Sequence, residues 1–355
     1  MTERADAHPE AGPTPAHSDD RARGMRLLRW VDALRPDAAG ISRNFAAARG
    51  FSILMVVTSH YFSPSLLWVG STVALFVFAF SSAHFTTEKY GTSVSIGRFW
   101  KSKFERLGWR LLTIAVFLAV VFLGQGESGM LTWQTLVAVT GLSGFLTWFG
   151  IPNPSPYGMG VWFLTLLLIF YAAYPLLARG LARPGGPLVG AVIAVTTGIV
   201  LEWTVPMGHM LWMTAGAFVL GVCWVLAGWA ASPARTASLI VLAVCTIAAG
   251  YTIGAAYRSE LNIIGLFALS LACVQALFVV PLPRVVLTIG AWLGVRSLEI
   301  YLIHTYLFVG SEHFGPAVGY LASVAIVIPS AWALHALASA WRLGSGRGAV
   351  SRVAS

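Results

Sequence analysis

Ten apolar runs, each about 20 residues long, constrain this sequence more than any other feature. They lie at about 42–62, 66–86, 107–124, 161–178, 188–205, 209–229, 236–256, 261–280, 288–310 and 317–341. A transmembrane helix needs about 20 consecutive apolar residues. Hydrophobic residues make up 57% of the chain and charged residues 10%, whereas soluble domains average about 45–50% and 25%. We therefore predict an all-α, polytopic membrane helix bundle and exclude a soluble globular protein.

The positions of Lys and Arg bear on an eleventh apolar run, 131–150. If this run is a re-entrant or surface helix on the outer face, about ten transmembrane helices remain. One side of the membrane then holds most of the Lys and Arg residues in the loops. They are Arg43, the cluster from Lys89 to Arg110, Arg179, Arg183, Arg235, Arg284, Arg342, Arg347 and Arg352. Cytoplasmic loops collect Lys and Arg. We therefore predict cytoplasmic termini in a multi-pass plasma-membrane protein. If the run crosses instead, the arginines from Arg179 onward face outward.

Three segments follow from this topology. Residues 1–40 hold seven of the 14 acidic residues and many Ala, Pro and Gly. Such a composition cannot bury a core, so we predict a disordered cytoplasmic tail, with a basic end that suits an anionic membrane surface. Residues 41–341 form the membrane domain, and 342–355 form a basic cytoplasmic tail. The net charge of +9 then reflects the cytoplasmic loops, and nucleic acid is not expected as a partner.

The three cysteines predict neither a disulfide nor a metal site. Cys223, Cys245 and Cys273 lie singly in apolar runs, without a Cys-x-x-Cys pair. In such runs a cysteine is most often a small buried hydrophobic residue.

The first span carries two ionisable residues, Arg49 and His60. An ionisable group in the bilayer costs at least about 2.5–3.5 kcal/mol and therefore suggests a function. The two lie 11 residues apart, which is about three helical turns, on nearly the same face and ~16 Å from each other. The structural alternative is an Arg that reaches the interface and a His located there.

Two further clusters of polar residues can also be interpreted as either functional or structural. Lys103, Arg106 and Arg110 recur on one face of a helix that enters the membrane from the cytoplasm, where they either bind phosphates or only mark the cytoplasmic side. In the ninth span Arg296 and Glu299 are spaced to pair, and Tyr301 and His304 share a face. The alternative for this second cluster is a structural network.

These features, in this order, resemble the membrane acyltransferase-3 family over roughly residues 42–341. The resemblance is carried by an Arg and a His with ten residues between them (Arg49 and His60), by Gly70 to Ser82, by the basic stretch Phe99 to Leu107, by Trp162 to Pro175 and by Ser297 to His304. Family members O-acylate sugars of polysaccharides, lipopolysaccharide, signalling oligosaccharides and macrolide-type metabolites.

The resemblance implies an O-acyltransferase that moves an acyl group, expected to be acetyl, from acyl-CoA to a hydroxyl of a glycan or glycosylated metabolite. Acyl-CoA would be a co-substrate, and no cofactor would be bound permanently. His60 would be the general base, with His304 as its competitor, because histidine titrates near neutrality. Arg49 would hold donor oxygens or tune His60. Lys103, Arg106 and Arg110 would bind the donor phosphates, while Tyr301, His304 and Glu299 would line or support the acceptor side.

Two residues depart from the family pattern. Leu167 replaces a common Glu, and Glu299 replaces a residue that is usually aromatic or small. Either change suggests a different acceptor, and Leu167 also raises the alternative of an inactive member. A transporter or channel without chemistry is the other alternative, since the same ionisable residues would suit a substrate or proton pathway.

Overall fold

The computed structural model describes most of the chain: residues 36–63, 65–158, 162–205, 207–208, 210–253, 258–310, 312 and 315–351. Two predictions fall partly outside these residues. They are the disordered tail, of which 1–35 are not described, and the basic C-terminal tail, of which 352–355 are not described.

The described residues form thirteen α-helices and no β-strand, which confirms the all-α class. The helices are α1 (Ala38–Tyr61), α2 (Trp68–Tyr90), α3 (Ile96–Gly124), α4 (Trp133–Val139), α5 (Ser143–Trp148), α6 (Trp162–Leu181), α7 (Gly186–Thr204), α8 (Leu211–Leu226), α9 (Pro233–Thr252), α10 (Arg258–Val279), α11 (Arg284–Val295), α12 (Ser297–Ile303) and α13 (Gly315–Ser351). A 3₁₀ turn, His304–Tyr306, directly follows α12.

Within the described residues, seven helices are long and apolar enough to cross a membrane. They are α2, α3, α6, α7, α9, α10 and α13. The α11–α12 pair, bent by 61°, adds an eighth if it is counted as one broken span. Of the other predicted spans, α1 does not meet the same test, and α8 has only 16 residues. A multi-pass membrane bundle is therefore shown, while ten spans remain a prediction.

The ambiguous run 131–150 folds as α4 and α5, which have seven and six residues. Neither helix can cross a hydrocarbon core of about 30 Å at about 1.5 Å per residue. Thr165 of α6 holds this segment, because its hydroxyl donates to the Gly141 carbonyl and accepts from the Gly144 N–H, both at 2.8 Å. This geometry fits a surface or re-entrant segment.

The first helix begins at Ala38, within the tail that was predicted to end at residue 40. A side-chain cap is the physical reason, since the Asp37 carboxylate accepts the Gly40 N–H at 2.7 Å. Such a cap satisfies a backbone donor that has no partner within the helix. The part of the prediction that covers residues 38–40 is therefore wrong.

Helices α1 and α11 cross at very short range. A Cβ atom added to Gly50 would lie 2.8 Å from the Gly294 nitrogen, and one added to Gly290 would lie 2.7 Å from the Ala47 Cα and oxygen. Small residues allow helix backbones to approach closely in membranes. This crossing fixes α1, which carries Arg49 and His60, against the segment that leads into α12.

Gly290→Leu is expected to destabilise the folded protein, because the side chain would push α11 away from α1. Overpacking typically costs about 1–3 kcal/mol. Thermal unfolding of the purified protein in detergent should show a lower Tm, together with a lower yield of monodisperse protein.

Gly108→Leu is the matched control, because no atom lies within 4 Å of a Cβ added to Gly108 of α3. Equal Tm values for the two variants would contradict the close crossing.

Candidate active site

A cavity of about 300 Å³ lies between α1, α2, α3, α6, α11 and α12. We call it the arginine cavity, because Arg49, Arg106 and Arg110 line it. Most of the remaining wall is apolar, with polar contributions from Ser82, Tyr171, Ser297 and Tyr301. The sequence predicted that Arg106 and Arg110 bind the donor and that Arg49 either holds donor oxygens or tunes His60. The structure brings all three arginines to one cavity.

Arg49 has no carboxylate partner within the described part of the chain. Its buried Nε atom has no hydrogen-bond acceptor, and none of the ion pairs includes its guanidinium. A buried cation without a counter-charge is costly. The position therefore favours an anionic or strongly polar ligand in the arginine cavity.

Lys103 is the one predicted donor-binding residue that is not among those lining the arginine cavity. Its side chain is buried, with Nζ 3.7 Å from the centroid of the Tyr171 ring and 5.0 Å from that of Phe99. Such cation–π contacts stabilise a desolvated ammonium group. The Tyr171 hydroxyl in turn lies beside the Arg106 and Ser82 side chains. Lys103 thus supports the wall that carries Arg106.

Arg110 is paired inside the protein. Its Nε and one terminal nitrogen donate to the two carboxylate oxygens of Glu299, which is 1% exposed. His335 Nδ1 lies 3.2 Å from Oε1 of the same carboxylate. This network joins α3, α12 and α13. Of the arginines that line the cavity, Arg110 thus has its charge largely compensated.

The predicted pairing of Glu299 with Arg296 is wrong. The chain bends by 61° at Arg296, so that the two residues do not share one continuous helix. Arg296 instead lies over the Trp292 ring, 4.4 Å from its centroid, and donates to the Trp292 carbonyl.

A second cavity of about 470 Å³ lies beyond the arginine cavity along α1. We call it the histidine cavity, because His60 lines it. The other described residues of its wall are Val56, Ser59, Ser63, Trp68, Ser71, Thr72, Leu75, Trp162, Glu202, Gly208, Met210, Ile263 and Tyr301. Val56, Leu75 and Tyr301 line both cavities. The two cavities thus adjoin at these side chains.

The structure joins the two histidines that compete for the role of base. His60 Nδ1 lies 2.8 Å from His304 Nε2, and the two rings stack with their centroids 5.0 Å apart. His304 Nδ1 lies 2.7 Å from the Tyr301 carbonyl oxygen. His304 is fully buried, whereas His60 is partly exposed and lines the histidine cavity.

These contacts define the tautomers of a neutral pair. A carbonyl oxygen only accepts hydrogen bonds, so His304 must carry its proton on Nδ1. Its Nε2 is then an acceptor, and Nδ1 of His60 donates to it. In this tautomer Nε2 is the basic nitrogen of His60. His304 thus holds the ring of His60 in this tautomer and orientation.

The structure brings three further residues to these sites, to which sequence reasoning assigned no role. Tyr171 contacts Lys103, His335 contacts Glu299, and Glu202 lines the histidine cavity. Spacing gave no signal for them, because their partners lie on other helices.

Both cavities lie in the segment that matches a known family. The family model of the acyltransferase-3 acyltransferase domain matches residues 43–338, from α1 into α13. The chain belongs to the acyltransferase-3 family. No curated protein and no solved structure matches the chain. Family membership and the membrane helices together indicate a membrane acyltransferase that handles some acyl donor and acceptor. Leu167, the departure from the family pattern in α6, lines the arginine cavity.

Glu299→Gln should lower the stability of this acyltransferase-family protein by about 3 kcal/mol, because removal of one charge of a buried pair leaves the other uncompensated. Unfolding of the purified protein in detergent, followed by circular dichroism, measures the change.

Glu88→Gln is the matched control, because Glu88 is half exposed and contacts only His84 as an ion-pair partner among the described residues. A Glu299→Gln protein as stable as this control would mean that the Arg110 network does not hold α12.

Proposed function

We propose that this chain is an O-acyltransferase that takes an acyl group from acyl-CoA in the arginine cavity and transfers it to a hydroxyl of an acceptor in the histidine cavity. The observation that carries the proposal is the arrangement of the two cavities. They have different chemistry, and Val56, Leu75 and Tyr301 belong to both walls. A donor and an acceptor that enter from opposite ends would meet at these residues.

The arginine cavity suits acyl-CoA in charge and in lining. Arg49 has no protein counter-charge among the described residues, and Arg106 also lines the cavity. Guanidinium groups bind phosphate oxygens through charge-assisted hydrogen bonds. The apolar remainder of the wall, which includes Ile53, Phe78 and Leu167, suits the uncharged arm and the acyl chain. In the predicted topology, this cavity opens to the cytoplasm of a plasma-membrane protein.

In the proposed reaction, His60 Nε2 removes the proton of the acceptor hydroxyl as its oxygen attacks the thioester carbonyl carbon. A C–O bond forms and the C–S bond breaks, so that the acyl group becomes an ester. The departing thiolate of CoA takes the proton from His60. The His304 contact keeps His60 in the tautomer with a basic Nε2, as the third member of a catalytic triad does. A base positioned in this way typically accelerates the reaction by about 10²–10⁴-fold.

The acceptor is proposed to be a hydroxylated molecule, a glycan or glycosylated metabolite. Trp68 and Trp162 offer flat apolar faces in the histidine cavity, and Ser59, Ser71 and Thr72 add hydroxyl groups. This mixture of rings and hydroxyls matches the faces and edges of a sugar. Acetyl is the proposed acyl group.

A transporter remains the second candidate, because two adjoining cavities would also suit a path through the bundle. The two candidates differ in one measurement. A purified acyltransferase releases free CoA from acetyl-CoA when an acceptor is present, whereas a transporter leaves the thioester intact. Absence of CoA release with every glycoside acceptor tried would favour transport or an inactive family member.

Arg49→Ala combined with Arg106→Ala should raise the KM for acetyl-CoA at least tenfold, because each charge-assisted contact contributes about 1.5–3 kcal/mol. Steady-state kinetics of CoA release measures the change, and size-exclusion chromatography verifies the fold. Arg98→Ala is the control, since Arg98 is exposed on α3 and is not among the lining residues. An unchanged donor KM in the double variant would show that these cations do not bind the donor.

His60→Ala should lower kcat by about 10²-fold or more while acetyl-CoA affinity stays near that of the wild type, since loss of a base acts on the transition state. His304→Ala should cost less, because it removes the orienting contact and leaves Nε2 of His60 present. If His304→Ala abolishes turnover while His60→Ala retains it, the base is His304. If both variants keep wild-type kcat, both histidines are structural.

A further inference from the structure

Glu202 is a second ionisable residue in the histidine cavity, and the proposed reaction does not use it. It belongs to the last turn of α7, is 8% exposed and lines the same cavity as His60. Its Oε2 atom accepts the backbone N–H groups of Trp212 and Met213 at 3.0 and 3.3 Å. Glu202 thus ties α7 to the first turn of α8.

This helix contact employs one oxygen of the carboxylate. Both hydrogen bonds to Glu202 within the described residues end on Oε2, and none ends on Oε1. Burial is the largest influence on this carboxylate and disfavours its charge, while the two N–H donors and the positive end of the α8 dipole favour it. Oε1 is therefore an acceptor held in a fixed direction by the contact that Oε2 makes.

The two cavities have opposite charged groups. The described residues that line the histidine cavity include Glu202 and no Lys or Arg, whereas three arginines line the arginine cavity. A carboxylate or phosphate in the histidine cavity would meet the like charge of ionised Glu202, and no Lys or Arg among the described lining residues would compensate it. A hydroxyl there would find a hydrogen-bond acceptor.

We infer that Glu202 selects the acceptor: it accepts a hydrogen bond from an acceptor hydroxyl and excludes acceptors with an anionic group near that hydroxyl. The inference rests on the proposed function, because it assigns the histidine cavity to the acceptor. A like charge in the binding site is a common source of specificity, since it weakens the wrong partner rather than strengthening the right one.

The test compares two probes of similar shape, octyl β-glucoside and octyl β-glucuronide, which differ by a carboxylate. Their affinities for the full chain, without donor, are measured by thermal shift in a detergent that is not a glycoside. The wild type should bind the glucoside at least tenfold more tightly. Glu202→Gln should reduce this ratio at least fivefold, mainly through tighter binding of the glucuronide.

Two variants separate charge from the helix contact. Glutamine keeps an oxygen that accepts from Trp212 and Met213, so α8 stays anchored without the charge. Glu202→Asp keeps the charge on a shorter side chain and should retain the preference for the glucoside. Glu88→Gln, a carboxylate outside the histidine cavity, should also retain it. An unchanged ratio in Glu202→Gln, or no preference in the wild type, overturns the inference.

Transfer from acetyl-CoA to the glucoside is then measured on the same proteins. Transfer by the wild type, with a glucoside-to-glucuronide preference in kcat/KM that falls in Glu202→Gln, supports both the inference and the proposed function. A Glu202-dependent binding preference without any transfer overturns the proposed function but supports the selection by Glu202.

Discussion

The ion pair between Arg110 and Glu299 holds the part of the fold on which both cavities depend. It fixes α12 to α3, directly after the 61° bend that separates α12 from α11. That bend lets α11 pack its glycines against α1, while α12 turns so that Tyr301 lies between the cavities and His304 meets His60.

The two cavities differ in charge because the protein neutralises or stabilises some of its buried cations and leaves Arg49 without such a partner in the described part of the chain. Arg110 has Glu299, and Lys103 has the aromatic rings of Tyr171 and Phe99. Arg49 has neither kind of partner among the described residues. Arg49 therefore has no carboxylate to offset its desolvation among the described residues, which favours an anionic or strongly polar ligand in this cavity. The histidine cavity holds the opposite sign, at Glu202, so that each cavity favours a different reactant.

The sequence was sufficient for the helices but not for the contacts between them. The apolar runs predicted the helical class. The spacing of Arg49 and His60 predicted that they share one face of α1, and in the structure each of them lines one of two adjoining cavities along that helix. Glu299 was given the wrong partner, because its true partner is 189 residues away and a bend interrupts the local spacing. Lys103 was predicted either to bind donor phosphates or only to mark the cytoplasmic side. Spacing does not reveal that the rings of Tyr90, Phe99 and Tyr171 lie around its ammonium group. The number of spans stayed open, because α1 carries polar residues and α8 is short.

Leu167 and Glu299, the two departures from the family pattern, concern the same cavity. Leu167 lines it, and Glu299 binds Arg110, which also lines it. A carboxylate at position 167 would share the cavity with Arg49 and Arg106 and would compete with an anionic ligand for them. In this chain the nearby carboxylate is that of Glu299 on α12, which contacts Arg110 and His335 rather than Arg49 or Arg106. Under the proposed function, leucine at 167 therefore leaves Arg49 and Arg106 for the donor, and its effect on donor binding is favourable in sign.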